Sequence, residues 1–143
     1  MAIEDTLAKI ELFADLDKED LQRLANATVV RNFNKGDVIV RENEAGVAFY
    51  IIASGSVEVV KGLGTANEQV VDTIKAGSFF GEMALFDNQV RSASIRASEE
   101  TQCLILTKWD FNAEMEQNAR IATAMLAVLA RRIRHMTEES LTH

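Results

Sequence analysis

The sequence predicts a mainly β domain, an antiparallel sandwich or small barrel, with helices flanking it at both ends of the chain. Three observations predict it. From Val29 to about Thr107 the residues fall into seven short runs rich in Val, Ile and Phe: "TVVRNF", "DVIV", "AFYIIA", "SVEVV", "QVVDTI", "SASIRA" and "QCLILT". Turn-forming stretches, "NKGD", "ASGS" and "LGTANE", separate several of these runs. After Thr107 glycine disappears and the chain becomes rich in Ala, Leu, Met and Arg, residues that favour helix.

Taken in chain order, the first element is a helix. In "LFADLDKEDLQRLANA", Leu16, Leu21 and Leu24 recur at near-helical spacing, Asp17 is placed as a cap and Asp20 lies in the first turn. The β region follows, its corners shaped by glycine and asparagine because the chain contains no proline. The closing segment, "KWDFNAEMEQNARIATAMLAVLARRIRHMTEES", predicts one short and one long helix. At 143 residues and 48% apolar, the chain suits one domain over residues 1–143, with leading helices in 1–28, the β-barrel in 29–107 and closing helices in 108–143.

The long helix carries two apolar lines. Leu126, Leu129, Ile133 and Met136, preceded in register by Ala119 and Ala122, form a heptad-like seam, while Ile121, Met125 and Val128 form a second line. One helix with two apolar faces needs two partners. Either a second copy covers the seam, making a homodimer through the 118–138 helix, or one wide face is buried under the chain's own barrel; the homodimer is the expectation.

Charge and cysteine content exclude several classes. A net charge of −7 surrounds the molecule with a field that repels nucleic acid and anionic membrane. The amino terminus mixes acids with apolar residues, unlike a secretory signal, and no apolar run approaches the ~20 residues that span a bilayer as a helix. A cytoplasmic protein with neither nucleic-acid nor membrane partner is expected. The lone Cys103 has no disulfide partner within the chain and is read as a core residue.

The stretch "GSFFGEMALFDNQVRSASIRA", Gly77–Ala97, carries the chemistry. Gly81 lets the backbone turn sharply before "EMALF" winds about one helical turn, whose first amides offer donors to an anion. Arg91 supplies a full positive charge on a planar fork that suits two phosphate oxygens, and the Ser92 hydroxyl adds a donor. Glu82 would repel a bare phosphate, so it needs a donor of its own, such as a sugar hydroxyl. A cyclic ribose phosphate has both parts.

The same stretch resembles a known motif. "FGEMALFDNQVRSAS" is similar to the phosphate-binding cassette of cyclic nucleotide-binding domains, matching it at Phe80, Gly81, Glu82, Ala84, Leu85, Arg91, Ser92 and Ala93. The nine-residue step from Glu82 to Arg91 is similar to that in the regulatory subunits of cyclic-AMP-dependent protein kinase. "LFADLDKEDLQRLA" resembles the family's leading helix and "NKGDVIVRENEAGVAFYIIASGSVEV" its first hairpins, so the likeness covers nearly the whole chain.

The resemblance implies a β-barrel of the double-stranded β-helix or jelly-roll type with a cassette at 79–93. It implies a ligand site of Phe80, Gly81, Glu82, Met83, Ala84, Arg91, Ser92 and Ala93, with Glu82 on the ribose 2′-hydroxyl and Arg91 on the exocyclic phosphate oxygens. Gly46, in "ENEAGVAFY", matches a turn position near the ribose. Arg132, Met136 or Thr137 of the last helix would reach the purine. Threonine after the arginine often accompanies cyclic GMP in this family and alanine cyclic AMP; with Ser92 between them, cyclic AMP is the expected ligand and cyclic GMP the alternative. Two positions depart from the pattern: Val90 stands where many members have proline, and Asp87 adds a negative charge.

The family also implies a sensor in which nucleotide binding moves the closing helices from about Lys108 onward, and dimerisation through the last helix as in bacterial catabolite activators. With no output segment before His143, either a freestanding sensor acting on an unidentified downstream protein or an isolated regulatory fragment is expected. The competing reading is an interaction or dimerisation module whose cassette is empty, Arg91 pairing with Glu82 as a structural bridge. A metal-dependent barrel enzyme lacks imidazoles, since His135 and His143 both lie at the tail, and Ser92 and Ser94 have no barrel histidine as base. Neither catalytic nor metal-binding residues are assigned. Phe79, Phe80 and Phe86 are read as core rather than purine-stacking residues, Trp109 as a packing residue and Arg96 as solvated.

Overall fold

The computed structural model describes residues 3–86 and 90–141, with the side chains of Glu82 and Leu141 outside that description. Asp87 and His143 therefore lie outside the described residues. Helices α1 (Ile3–Ala8) and α2 (Lys18–Ala27) flank a 3-10 turn, Glu11–Phe13. Strands β1 (Val29–Phe33), β2 (Val38–Val40), β3 (Ala48–Ser54), β4 (Ser56–Lys61), β5 (Gln69–Lys75) and β6 (Phe79–Phe80) follow. A second 3-10 turn, Glu82–Leu85, precedes β7 (Ser94–Ala97), β8 (Thr101–Thr107), α3 (Lys108–Gln117) and α4 (Ala119–Leu141). Each of the seven predicted runs contains a strand. The eighth strand, β6, is an addition, and α1 and α2 are helices within the 1–28 segment expected to hold the leading helices.

The chain divides into two compact units, one made of the segments up to and including Ala27 and from Asn112 onward, the other Thr28–Phe111. In the helical unit, the Asp20 N–H donates to Asp17 Oδ1 at 2.8 Å, the cap that the sequence predicts for α2. Leu21 and Leu24 of the same helix are buried. Asp20 is itself buried, at 4% exposure. Its Oδ1 accepts a hydrogen bond from Asn118 Nδ2 at 2.5 Å and lies 3.5 Å from Arg120, so the carboxylate is partnered rather than stranded. Along α4, Ile121, Met125 and Val128 are buried, whereas Leu126, Ile133 and Met136 are 65%, 64% and 58% exposed. The two apolar lines read from the sequence thus differ sharply in solvent contact. Among the described residues no helix is long and apolar enough to cross a membrane.

In the β unit, two four-stranded antiparallel sheets are ordered β1-β8-β3-β6 and β2-β7-β4-β5. Alternate residues of β3 and β8 (Ala48, Ile52, Cys103, Ile105) meet Val57 and Ile95 of the second sheet in one core, with Phe80, Tyr50, Ile39 and Phe33 packed around it. Burial also pushes the Cys103 thiol up from 9.0 to about 11, as expected of a core cysteine.

Two readings need correction here. Arg96 is not simply solvated: it stands directly across from Glu58 in the β4–β7 pairing, and its Nη2 lies 2.8 Å from Glu58 Oε2 and its Nη1 3.4 Å from Glu68 Oε2. Trp109, read as a packing residue, is 65% exposed in the first turn of α3. A large apolar residue at a helix start is free to face water, because burial is a tendency of hydrophobic residues and not a requirement.

Candidate functional site

The cassette begins with the shortest strand. Phe79 and Phe80 pair with Ile51 and Tyr50 of β3, which delivers Gly81 to the edge of the first sheet. Gly81 adopts φ 81° and ψ 14°, the left-handed region that glycine enters without a Cβ penalty. The 3-10 turn then closes with the Ala84 N–H donating to the Gly81 carbonyl at 3.0 Å and the Phe86 N–H to that of Met83, also at 3.0 Å. The Ala84 amide is thus engaged inside the turn, and the donors lying outside its i→i+3 pattern are those that precede it. Ala84 and Leu85 are buried, while Met83 is exposed.

Arg91 is fixed first by its backbone. Its N–H donates to the Glu44 carbonyl and its carbonyl accepts from the Asn43 N–H, both at 2.8 Å, while Val90 bridges to Ala45. The side chain then runs back into the sandwich, where Nη2 donates to the Ala48 carbonyl at 2.8 Å. Two glycines make room for it. A Cβ on Gly81 would lie 2.5 Å from Nη1, and one on Gly46 would lie 2.9 Å from Nε and 3.1 Å from both Cζ and the Ala84 methyl. Arg91 Cζ is 5.9 Å from the centre of the Tyr50 ring, within cation–π range, and that ring stacks on Phe80 at 4.8 Å with planes 5° apart. The guanidinium is held in a slot whose walls are two glycines and an aromatic stack. Burial raises the Tyr50 pKa, opposed in second place by the Arg91 charge.

A cavity of ≈ 120 Å³ opens beside this slot, lined by Arg91, Tyr50, Ile39 and Val47 with Arg41 and Glu44 at its polar side. A second of ≈ 290 Å³ shares Ile39, Val47 and Tyr50 and extends to Arg31 and Ile105. Its volume is at the lower end of the ~300–1,000 Å³ range of small-ligand pockets. Among the described residues no cluster of His, Cys, Asp and Glu stands where it could hold a metal ion.

Of the eight predicted ligand residues, Ala84 and Arg91 lie against Gly46, Gly81 lies against the Arg91 guanidinium, and Phe80 stacks on Tyr50, over which that guanidinium sits. Glu82 begins the turn; its side chain lies outside the description. Ser92 is exposed, its carbonyl accepting from Lys61 Nζ, and Ala93 is half-buried. Phe79 meets Phe49 edge-on at 5.5 Å and is half-buried, whereas Phe86, read from the sequence as core, is 37% exposed and touches Phe111 edge-on at 5.6 Å from the end of the turn. On α4, Arg132 lies 3.8 Å from Glu11 and the Thr137 hydroxyl donates to the Ile133 carbonyl at 3.0 Å. Sequence reasoning missed the Ala48 carbonyl and Tyr50, and it gave Gly46 only a turn. The glycine followed by small residues in "AGVA" was the available signal of a close backbone approach.

Comparison with known proteins points to a family. Residues 30–118 match the family described as "Cyclic nucleotide-binding domain". The chain is 36% identical over 108 residues to human cGMP-dependent protein kinase 2, covering 74% of this chain and 14% of the kinase. It is 32% identical over 112 residues to the cAMP-dependent protein kinase regulatory subunit of Schizosaccharomyces pombe, covering 78% of this chain and 26% of that one. It therefore spans a minor part of these relatives' length. Among solved structures, the N-terminal domain of a transcriptional regulator from Streptomyces coelicolor A3(2) superposes with a TM-score of 0.87 at 27% identity, covering 95% of each chain. Motif, fold and relatives agree: the chain belongs to the cyclic nucleotide-binding domain family.

Proposed function

We propose that residues 1–143 act as one non-catalytic sensor module in the cytoplasm, which binds a purine 3′,5′-cyclic nucleotide through its phosphate at Arg91. The observation that carries this reading is the seat of the guanidinium between Gly46 and Gly81, with Nη2 anchored on the Ala48 carbonyl. A fork pre-positioned in this way loses little side-chain entropy when it meets a phosphate. Phe80, Gly81, Glu82, Met83, Ala84, Ser92 and Ala93 complete the proposed site, with Glu82 as acceptor for the ribose 2′-hydroxyl. Cyclic AMP is the proposed ligand and cyclic GMP the alternative; the related kinases named above are described by one nucleotide or the other.

Binding is proposed to reposition the helices from Lys108 onward. Two links inside the β unit support that coupling. The Lys108 N–H donates to the carbonyl of Val47, a residue in the walls of both cavities, at 2.9 Å. Phe86, at the end of the cassette turn, meets Phe111 of α3 edge-on. A ligand that favours one arrangement of the cassette thereby favours one arrangement of the first turn of α3. The exposed line Leu126, Ile133 and Met136 supports a homodimer through α4, with the signal passed to a downstream protein.

A thermal-unfolding assay with each nucleotide tests the proposal. At about a hundred times its dissociation constant, a true ligand adds roughly 2.7 kcal/mol of stability. An unchanged melting temperature with both nucleotides at millimolar concentration would instead favour the interaction module with an empty cassette.

A further inference from the structure

Besides the slot around its guanidinium, Arg91 is held through the backbone on either side of it. The turn of residues 41–44 wraps the arginine: Asn43, at φ 70°, donates its N–H to the Arg91 carbonyl, and the Arg91 N–H donates to the Glu44 carbonyl. The Glu42 N–H donates to the Ser94 hydroxyl at 2.9 Å, where β7 begins on a buried residue. Ser92 and Ala93 link Arg91 to that strand. Lys61, the last residue of β4, reaches this link. Its Nζ donates to the Ser92 carbonyl and lies 3.8 Å from Glu42 Oε2, while Glu42 Oε1 accepts from the Gly62 N–H at 3.0 Å. Glu42 thus aims the ammonium, and the ammonium ties the end of β4 to the residue that follows Arg91.

Resting on the function proposed above, we infer that Lys61, oriented by Glu42, is a positioning residue for the phosphate site at Arg91. A planar fork meets two phosphate oxygens only when it is fixed to within about 0.5 Å of the productive geometry. Lys61 contributes to that precision through the backbone, by holding the Ser92 carbonyl and with it the direction in which the Arg91 side chain leaves the chain. Lysine suits the task because its three donors serve a carbonyl and a carboxylate together.

Two simpler roles compete. An ion pair that only ties down the β4–β5 hairpin alters stability and leaves nucleotide affinity unchanged. A bare positive charge acting on the phosphate through space strengthens binding, and the Glu42 charge beside it then weakens binding. Calorimetric titration of the parent, Lys61→Met, Lys61→Arg and Glu42→Gln with cyclic AMP and cyclic GMP, with urea denaturation of each without nucleotide, separates the three. Lys61→Met and Glu42→Gln should both raise the dissociation constant about fivefold, the size of one lost hydrogen bond, although they change the net charge in opposite directions. Lys61→Arg keeps donors for both oxygens and should stay within about twofold of the parent. Should Glu42→Gln fail to fold, Lys61→Met decides: its loss of affinity should persist at about 0.5 M salt, where a through-space effect is screened away. Binding by Glu42→Gln that equals or exceeds the parent's, or a Lys61→Met variant whose only defect is stability, overturns the inference and leaves the proposed function intact. A parent protein that binds neither nucleotide overturns both.

Discussion

Gly81 and Arg91 are in such close contact that a single methyl group cannot be placed between them: a Cβ on Gly81 would sit 2.5 Å from Arg91 Nη1 and 3.0 Å from both Nη2 and the Ala48 carbonyl. Gly46 encloses the same side chain from another direction, without a positive φ of its own. The two glycines should therefore respond differently to substitution. Gly81→Ala combines left-handed strain with the clash and should cost roughly 1–2 kcal/mol of stability along with most nucleotide affinity. Gly46→Ala can relax by displacing the guanidinium, so it should change stability by less than about 1 kcal/mol while weakening nucleotide binding about tenfold. Urea denaturation and calorimetric titration of both variants check the contrast; equal effects of the two on both measures would contradict it.

Much of this arrangement was legible in the sequence. The seven runs were readable because Val, Ile and Phe alternate between turn residues. The Glu82–Arg91 spacing pointed to the cassette because few other ligands need that set of groups. β6 was not legible, since Phe79–Phe80 is too short to show a period and is a strand only through its pairing with Tyr50 and Ile51. Arg96 was misread for a related reason: Glu58, its partner, is 38 residues away and becomes a neighbour only through the β4–β7 register. Gly46 looked like a turn because its real constraint, the Arg91 side chain, comes from a distant segment. What remained hidden was in each case a contact made by topology.

Cys103 should impose an alkaline limit on stability. Burial holds its thiol protonated to about pH 11 in the folded chain against 9.0 ordinarily. The unfolded chain releases that proton first, so the contribution is fully present below pH 9 and is lost as pH rises through 11. The difference amounts to roughly 2–3 kcal/mol. Denaturation midpoints of the parent and Cys103→Ala at pH 8 and above pH 10 should converge if this is right; parallel curves would contradict it.

The exposed line on α4 predicts self-association that charge disrupts. Leu126→Glu combined with Ile133→Glu places carboxylates on residues that are 65% and 64% exposed, so the monomer should lose less than about 1 kcal/mol. Light scattering should show the mass of the parent species halved in the double variant. A parent that is monomeric at high concentration removes the dimer from the proposal.

Trp109 is the chain's one tryptophan and is exposed at the start of α3, next to Lys108, whose N–H is tied to Val47. If nucleotide binding shifts this first turn, indole emission should change in proportion to occupancy. Emission that stays constant through a titration which calorimetry shows to be saturating would argue against coupling to α3.

The most direct test is calorimetric titration of the parent and Arg91→Lys with cyclic AMP and cyclic GMP. Lysine keeps the charge but loses the fork, so binding of one nucleotide per chain should weaken at least about tenfold for both ligands. Affinities in the lysine variant equal to those of the parent would contradict the account, because the phosphate would then be held somewhere other than residue 91.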